Sequence, residues 1–457
     1  MKNIIAIPKT ALFISALLLT VILAVCGFVA GSLAEDDQMQ APPLAYGQTT
    51  DGSGVVVYGI GSFKGDVLTV PESYGGLPVV AISSRAFINN TTLQAVYLPD
   101  SLTSIGEEAF KNCTALFDLA LPEGLSSLGD GAFEGCTGLS FLMLPTSMKE
   151  VAPRAFKGCT GLCEVYFFDG LERIGEDAFR DCTLLQSVTL PSGFRELGAN
   201  AFRGCSGLLF VSLGSDLKEI GGGAFYECSS LSEVSFPASL ERVGDSAFAL
   251  CSSLSSLTFS KEGAVTLGEW VFGSCSALET VTLPEGIVMD DYCFIDCTAL
   301  KDVSLPTSLD KLPNGTFEGC TALRSVALPE GLSNVGDFAF YKCGELELAL
   351  PTTVNRVGGS AFDGCEIADL KYGGSIYNYR AMTVCPENEA LKILLDKIFE
   401  GILPEDLNGD GSATISDVTF LLNLLAGLEK GEGDLNGDGG ITISDVTYLL
   451  NYLSSGK

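Results

Sequence analysis

The sequence predicts an α/β repeat fold, a solenoid of stacked parallel strands joined by short helical or 3₁₀ turns, followed by a small all-α domain. Two observations support this prediction. One pattern of about 23 residues recurs from residue 78 to residue 366, and a different acidic segment occurs twice near the C-terminus. A copy of 23 residues is too short to bury its own apolar face, so the copies must stack to form a core.

The repeated unit follows the pattern C-[TS]-x-L-x-x-V-x-L-P-x-x-L-x-x-I-G-x-x-A-F-x-x. Its V-x-L-P part predicts a short strand, because Val and Leu point inward, the residue between them points outward, and Pro ends the strand. Its A-F part predicts a helical or 3₁₀ turn on the far side, with the Phe in the core. The register is marked by Cys113, Cys136, Cys159, Cys182, Cys205, Cys228, Cys251, Cys275, Cys297, Cys320, Cys343 and Cys365.

These register cysteines allow two interpretations. In an exported protein they could pair as disulfides. Alternatively, each is a buried thiol that donates a weak hydrogen bond to turn backbone. Asn90 occupies the cysteine slot of the copy before Cys113, and an asparagine cannot replace a disulfide partner. The sequence therefore favours buried free thiols.

The N-terminal segment predicts export. Lys2 and Lys9 precede an uncharged run that ends near residue 34 in small residues, arranged as at a signal-peptide cleavage site. The run is also long enough to remain as a membrane anchor. The LAVC motif at Cys26 is a weak lipoprotein-like match. All three alternatives predict a secreted or cell-surface protein, with membrane contact only if the segment stays uncleaved.

Charge and composition exclude several classes of function. The chain has 26 basic and 57 acidic residues and a net charge of −31, so no nucleic-acid partner is expected. It has no histidine, which removes Ser-His-Asp and Cys-His catalytic sets. A pair of carboxylates could still hydrolyse a glycosidic bond. However, the repeats and the terminal segments leave no room for a catalytic module, and we expect no enzymatic activity.

The doubled acidic segment, DLNGDGSATISD and then DLNGDGGITISD, has the spacing of a calcium-binding loop. Oxygen-bearing residues alternate along each copy, a glycine at position 6 permits the tight turn, and position 7 offers a backbone carbonyl. Each loop precedes apolar residues at helical spacing. We expect two calcium ions, held by Asp406, Asn408, Asp410, Ser412, Thr414 and Asp417 in the first loop and by Asp434, Asn436, Asp438, Gly440, Thr442 and Asp445 in the second.

The 23-residue unit, with its IGxxAFxxC core, resembles the BspA-like leucine-rich repeats of bacterial surface proteins. The stretch before the repeats resembles the usual lead-in of such arrays, and IADLKYGGSIYNYRAM resembles their cap. The resemblance implies a leucine-rich-repeat solenoid that serves as an extracellular binding scaffold.

Outward strand residues give a candidate ligand-binding face on this solenoid. They are aromatic or apolar in early copies, whereas later copies have Ser and Thr, which are also ordinary exposed strand residues. An exposed aromatic patch is typical of a surface for a protein partner or a glycan. The candidate residues are Tyr97, Phe141, Met143, Tyr166 and Phe210.

The two acidic loops resemble a dockerin domain, in which loop position 12 is Asp where an ordinary EF-hand has Glu. The resemblance implies docking onto a cohesin domain of a scaffold protein, as in cellulosomes. Loop positions 10 and 11 are Ile-Ser in both halves, where the best-known members carry Ser-Thr. Because the halves agree, two docking orientations are expected. The candidate cohesin contacts are Ile415, Ser416, Asn423, Ile443, Ser444 and Asn451.

We therefore expect a non-catalytic extracellular binding protein that docks through a calcium-dependent dockerin while its solenoid binds an unidentified protein or glycan. The alternative is a cell-surface adhesin for host or other cells, attached through the dockerin or an N-terminal anchor. The predicted segments are a signal peptide or anchor (1–34), a lead-in and cap (35–77), the solenoid (78–366), a C-terminal cap (367–385), a linker or helix (386–405) and the dockerin (406–457).

Overall fold

The computed structural model describes residues 44–260, 264–374, 376–398, 415–425, 435 and 441–455. The predicted signal peptide or anchor lies outside these ranges. None of the helices within them is long and apolar enough to cross a membrane.

Two rows of parallel strands run along the solenoid, and each row is divided into shorter hydrogen-bonded sheets. The V-x-L-P segments form the front sheet, and the segments that end in I-G form the back sheet. Strands pair in parallel with the strand one copy further on, as Leu142 with Val165 in the front sheet and Val151 with Ile174 in the back sheet. The lead-in strands are β1 (Ala45–Gln48), β2 (Val55–Gly59) and β4 (Ser73–Tyr74).

The front strands are β3 (Val67–Thr69), β6 (Ala95–Tyr97), β8 (Asp118–Ala120), β10 (Phe141–Met143), β12 (Glu164–Tyr166), β14 (Ser187–Thr189), β16 (Phe210–Ser212), β18 (Glu233–Phe236), β20 (Ser256–Phe259), β22 (Thr280–Thr282), β24 (Asp302–Ser304), β26 (Ser325–Ala327), β28 (Glu345–Leu350) and β30 (Glu366–Tyr372). The back strands are β5 (Leu77–Ile82), β7 (Ser104–Ile105), β9 (Ser127–Leu128), β11 (Glu150–Val151), β13 (Arg173–Ile174), β15 (Glu196–Leu197), β17 (Glu219–Ile220), β19 (Arg242–Val243), β21 (Thr266–Leu267), β23 (Val288–Met289), β25 (Lys311–Leu312), β27 (Asn334–Val335), β29 (Arg356–Val357) and β31 (Thr383–Val384).

The A-F segments form consecutive turns closed by hydrogen bonds between residues three apart, such as Lys111 N–H to Glu108 O and Cys113 N–H to Phe110 O. Two residues in each copy adopt a left-handed backbone, which breaks any continuous helix. We call the first of these the turn column. It consists of Arg85, Glu108, Gly131, Arg154, Asp177, Asn200, Gly223, Ser246, Trp270, Tyr292, Gly315, Phe338 and Ser360, with φ between 50° and 63°.

The core is built on one column of phenylalanine rings, stacked with centroids 5.0 to 5.8 Å apart. The register cysteines lie beside it as free thiols. Each Sγ donates to the carbonyl of the phenylalanine one copy earlier, as Cys205 does to Phe179 at 3.2 Å. Burial raises the pKa of Cys159 to about 12, so the thiol stays protonated at neutral pH. In the same slot, Asn90 Oδ1 accepts the backbone N–H of Leu93 at 3.1 Å.

The glycine of the I-G segment is required by close approach between copies. A Cβ on Gly129 would collide with the backbone nitrogen of Glu107 in the preceding copy. Backbone hydrogen bonds cross the same gap, including Gly129 N–H to Ile105 O at 2.7 Å. A larger residue would therefore separate neighbouring copies and weaken the back sheet.

The array ends in helix α1 (Ile376–Ala381), strand β31 and helix α2 (Glu389–Ile398). Leu391 and Leu395 of α2 are buried in the solenoid core. Asn388, also buried, accepts the N–H of Phe362 at 2.9 Å and donates to Gly358 O at 2.7 Å. It satisfies backbone groups of the last copy, where no further copy follows.

Two further helices form the C-terminal domain: α3 (Ile415–Leu425) and α4 (Ile443–Ser455). They pack through a separate small core of Val418, Leu421, Leu435 and Leu449. The predicted combination of a leucine-rich-repeat solenoid with a small all-α domain is confirmed.

Candidate functional site

The front sheet carries aromatic residues at its N-terminal end. Tyr97 and Tyr166 are each 47% exposed, although their hydroxyls donate to Asp118 and Glu164 at 2.9 and 3.0 Å. Burial, followed by the hydrogen bond to Glu164, raises the pKa of Tyr166. Phe141 is half-buried and its ring centroid lies 5.4 Å from that of Tyr166. These side chains therefore form an apolar surface with hydroxyl groups held at its edge.

The other predicted face residues extend this surface. Met143 and Phe210 are exposed, on strands β10 and β16. Sequence reasoning missed Phe117, which is 56% exposed, and Leu209, which is exposed beside Phe210. Both precede a front strand at the same register position, so aligning the copies one residue further upstream would have found them. We call these seven residues, Tyr97, Phe117, Phe141, Met143, Tyr166, Leu209 and Phe210, the front patch.

The C-terminal domain buries a carboxylate at position 12 of each acidic loop. Asp417 and Asp445 are both fully buried. Asp445 accepts the backbone N–H groups of Leu435 and Thr442, both at 2.7 Å, which ties loop positions 2 and 9 to the start of α4. A buried carboxylate is costly unless its charge is neutralised, and a hard cation bound to oxygen ligands would supply that neutralisation. The described part of the second loop thus fits calcium.

The other predicted ligands cannot be placed. Within the described residues, no group of three or more His, Cys, Asp or Glu side chains could hold a metal ion. The following predicted ligands lie outside the described residues: Asp406, Asn408, Asp410, Ser412, Thr414, Asp434, Asn436, Asp438 and Gly440.

The predicted cohesin contacts lie on α3 and α4. Ile443 is 76% exposed, and Ser444 and Asn451 are also exposed, whereas Asn423 is half-buried. Ile415 and Ser416 begin α3, and their side chains lie outside what the structure describes. Sequence reasoning missed two exposed leucines at equivalent places in the two halves, Leu422 and Leu450. The doubled sequence VTxLLN contains both and could have indicated them.

Family comparisons agree with this architecture. The model of the BspA type leucine rich repeat region matches residues 80–209, 207–289 and 287–380, and the dockerin type I domain model matches residues 404–454. No curated protein matches the chain.

Several solved structures are similar at low identity. A leucine-rich repeat protein from Bacteroides ovatus is 22% identical, covering 74% of this chain and 94% of that one, with a TM-score of 0.47. A leucine rich cell surface protein from Faecalibacterium prausnitzii is 24% identical, covering 77% and 99%, with a TM-score of 0.42. The T. pallidum leucine rich repeat protein is 29% identical, covering 53% and 90%, with a TM-score of 0.33.

The family assignment therefore rests on the repeats themselves. The leucine-rich repeat matches run from residue 80 to residue 380, more than half of the chain. Repeats of this type and dockerin domains are not themselves catalytic modules, and proteins that carry them are typically extracellular or on the cell surface. Dockerin type I domains bind calcium and typically bind cohesins. The chain belongs to the BspA-type leucine-rich repeat family and carries a dockerin type I domain at its C-terminal end.

Proposed function

We propose that this protein is a non-catalytic extracellular binding protein with two separate tasks. Its dockerin, with two calcium ions bound, docks onto a cohesin domain of a scaffold protein. Its solenoid recognises a protein or glycan ligand through the front patch. The observation that carries the proposal is the presence in one chain of an exposed aromatic sheet face and a dockerin match at residues 404–454.

The docking task is supported by the surface of α4. Ile443 and Leu450 are large apolar side chains exposed on the same helix, next to the polar Ser444 and Asn451. Exposed apolar residues rimmed by polar groups are typical of a protein interface. Calcium bound in the loop would fix the orientation of α4, because Asp445 lies in the first turn of α4 and bonds to the backbone of the loop.

A pull-down on a panel of cohesin domains tests this task. The full chain should bind at least one cohesin in calcium and lose it in chelator. Because the two halves are alike, Ile443→Asp alone should leave binding through the other half, whereas Ile415→Asp with Ile443→Asp should abolish it. Ser454→Ala, on the same helix, is the matched control. Binding to no cohesin, or equal binding in chelator, would contradict the docking proposal.

The recognition task is supported by the contrast along the front sheet. The aromatic residues lie on β6 to β16, whereas outward residues of later strands are small or charged, such as Thr258, Thr282 and Glu347. Tyr and Phe provide large contact areas with little loss of side-chain entropy, so the aromatic end is the stronger candidate for binding.

A glycan array and a panel of extracellular proteins test this task. Tyr97→Ser, Phe141→Ser and Tyr166→Ser together should weaken a detected interaction by about tenfold or more. Thr258→Ala with Thr282→Ala is the matched control on the later part of the face. If the triple variant binds its ligand unchanged, the front patch is not the recognition surface. Product release from plant polysaccharides by the purified protein would contradict the non-catalytic assignment.

A further inference from the structure

A second aromatic surface lies on the turn side of the solenoid, away from the front strands. Trp270 and Tyr292 occupy the turn column in consecutive copies, and their rings stack with centroids 5.2 Å apart. Trp270 is 41% exposed. Both residues have a left-handed backbone, with φ of 60° and 61°, which is unfavourable for bulky side chains. In the next copy the column has Gly315, where a Cβ would collide with the Tyr292 ring.

A row of mostly acidic residues runs beside this part of the turn column. The residues directly before it in consecutive copies are Asp245, Glu269, Asp291, Asn314 and Asp337, which we call the acidic row. The row is held in place: Asp245 Oδ1 accepts the backbone N–H of Glu269 at 3.1 Å, and Asp291 accepts the Asn314 side chain at 2.9 Å. Asp337 pairs with Arg356 at 3.1 Å. Within the described part of the chain, Asp245, Glu269 and Asp291 form no ion pair.

In the N-terminal half of the array, the carboxylates near the turn column form ion pairs. There the turn column itself contributes cations, so Arg154 pairs with Asp130 and Arg85 pairs with Glu108 at 2.7 Å. Lys111 adds contacts to Glu108 and Glu134. In the C-terminal half, aromatic residues replace these cations in the column. An aromatic face beside carboxylates is a favourable site for a cation, because ring quadrupole and carboxylate charge act in the same direction.

The solenoid already contains such a contact within itself. The guanidinium of Arg203 lies 4.4 Å from the ring centroid of Tyr226, one copy further along. Trp270 stacks on Tyr292 in the following copy, and in the preceding copy the column has only the small Ser246. We call the space over Ser246, with Asp245 and Glu269 beside it, the Trp270 notch.

We propose that the Trp270 notch binds the guanidinium of an arginine side chain presented by a protein partner. Charge complementarity selects this occupant, because the acidic row disfavours anionic ligands and the chain as a whole has a net charge of −31. Guanidinium is planar and weakly hydrated, so it can stack on the indole while its N–H groups bond to carboxylates. This site is independent of the front patch and of the dockerin.

The only tryptophan of the chain is the reporter. The full-length protein is titrated with the peptide acetyl-GRGRG-amide while Trp270 emission is followed, with the citrulline analogue of the peptide as ligand control. We expect a saturable change with the arginine peptide. Asp245→Asn with Glu269→Gln should weaken binding by roughly tenfold. Glu107→Gln with Asp130→Asn, which changes net charge equally, should leave it unchanged.

A variant that fills the Trp270 notch distinguishes binding at this site from general attraction of a basic peptide to an acidic protein. Ser246→Arg places an arginine in a column that already holds Arg85 and Arg154 with the same backbone. Its guanidinium should occupy the Trp270 face, alter the emission of the free protein and abolish the peptide response. Equal responses in both charge-neutralised variants, an unchanged response in Ser246→Arg, or a response to cellohexaose and not to the arginine peptide would each overturn the proposal.

Discussion

Each inner ring of the phenylalanine column stacks on the rings of the copies before and after it, and the solenoid core is one continuous cluster from the lead-in to α2. Among the described residues, the core of the C-terminal helices consists of Val418, Leu421, Leu435 and Leu449, with three partly buried apolar residues packed against it and two buried carboxylates nearby. The comparison shows two ways to stabilise a fold. A long array obtains stability from repeated apolar contacts, whereas a very small domain needs an additional device such as a metal ion.

The largest expected effect is that of calcium removal. Chelator should unfold α3 and α4, because Asp417 and Asp445 would be left buried without a cation to neutralise the loops. The solenoid should remain folded. Circular dichroism with limited proteolysis would follow both regions, and re-addition of calcium should restore the helices. If the helices persist in chelator, the C-terminal domain does not depend on a metal ion for its stability, and the proposed difference from the solenoid is wrong.

A large effect is expected from Phe202→Ala in the ring column. The change removes a fully buried ring that stacks on Phe179 and Phe225 at 5.3 and 5.6 Å, and should cost about 3–5 kcal/mol of unfolding free energy. Phe210→Ala, at an exposed site, should cost well under 1 kcal/mol. Chemical denaturation in calcium would measure both. Similar losses for the two variants would show that the ring column is not the basis of stability.

A smaller effect is expected from Cys205→Ser. The side chain is fully buried and its Sγ donates to Phe179 O, so serine keeps a donor but loses volume, at a cost of about 1 kcal/mol. Cys163→Ser, at a half-buried site, is the control.

Thiol counting completes this test. Burial raises the pKa of the thiols of Cys159 and Cys251 to about 12, so the thiolate is scarce at neutral pH and labelling of the folded protein should be slow. Unfolding without reductant should expose the register thiols to rapid labelling. If few are titrated, the cysteines are paired as disulfides.

The smallest effect is expected from Arg154→Ala. Its ion pair with Asp130 is partly exposed, and such pairs contribute about 0.2–1 kcal/mol. The loss should shrink further at high salt. A loss above 2 kcal/mol that persists in salt would show that the polar surface, and not the core, holds the copies together.

Much of the fold could be predicted because the same chemistry is repeated in every copy. The strands and the buried phenylalanine column follow from the V-x-L-P and A-F spacing. Because this spacing recurs in many copies, a copy that departs from the pattern does not change the prediction. The left-handed turn column could not be predicted, since Arg154, Asp177 and Trp270 occupy it as readily as glycine does. The cap at Asn388 could not be predicted either, because it lies beyond the repeat and acts only through the fold.

The candidate sites divide in the same way. The predicted calcium ligands rest on local spacing alone, and the structure describes three of these residues, Asp417, Thr442 and Asp445. The Trp270 notch combines side chains from separate copies, Asp245 and Ser246 from one and Glu269 and Trp270 from the next. Such a pairing becomes visible only when residues of equal register are placed side by side.

The cap formed by Asn388 also has a consequence for how this protein can change in length. Because it satisfies the backbone of whichever copy comes last, it fixes the end of the array but not the number of copies before it. Whole units can be gained or lost between the front patch and this cap while the last copy stays capped. Each one would move the front patch by about 4.8 Å relative to the C-terminal end. Recombination between copies could therefore adjust the reach of the binding face without altering either terminus.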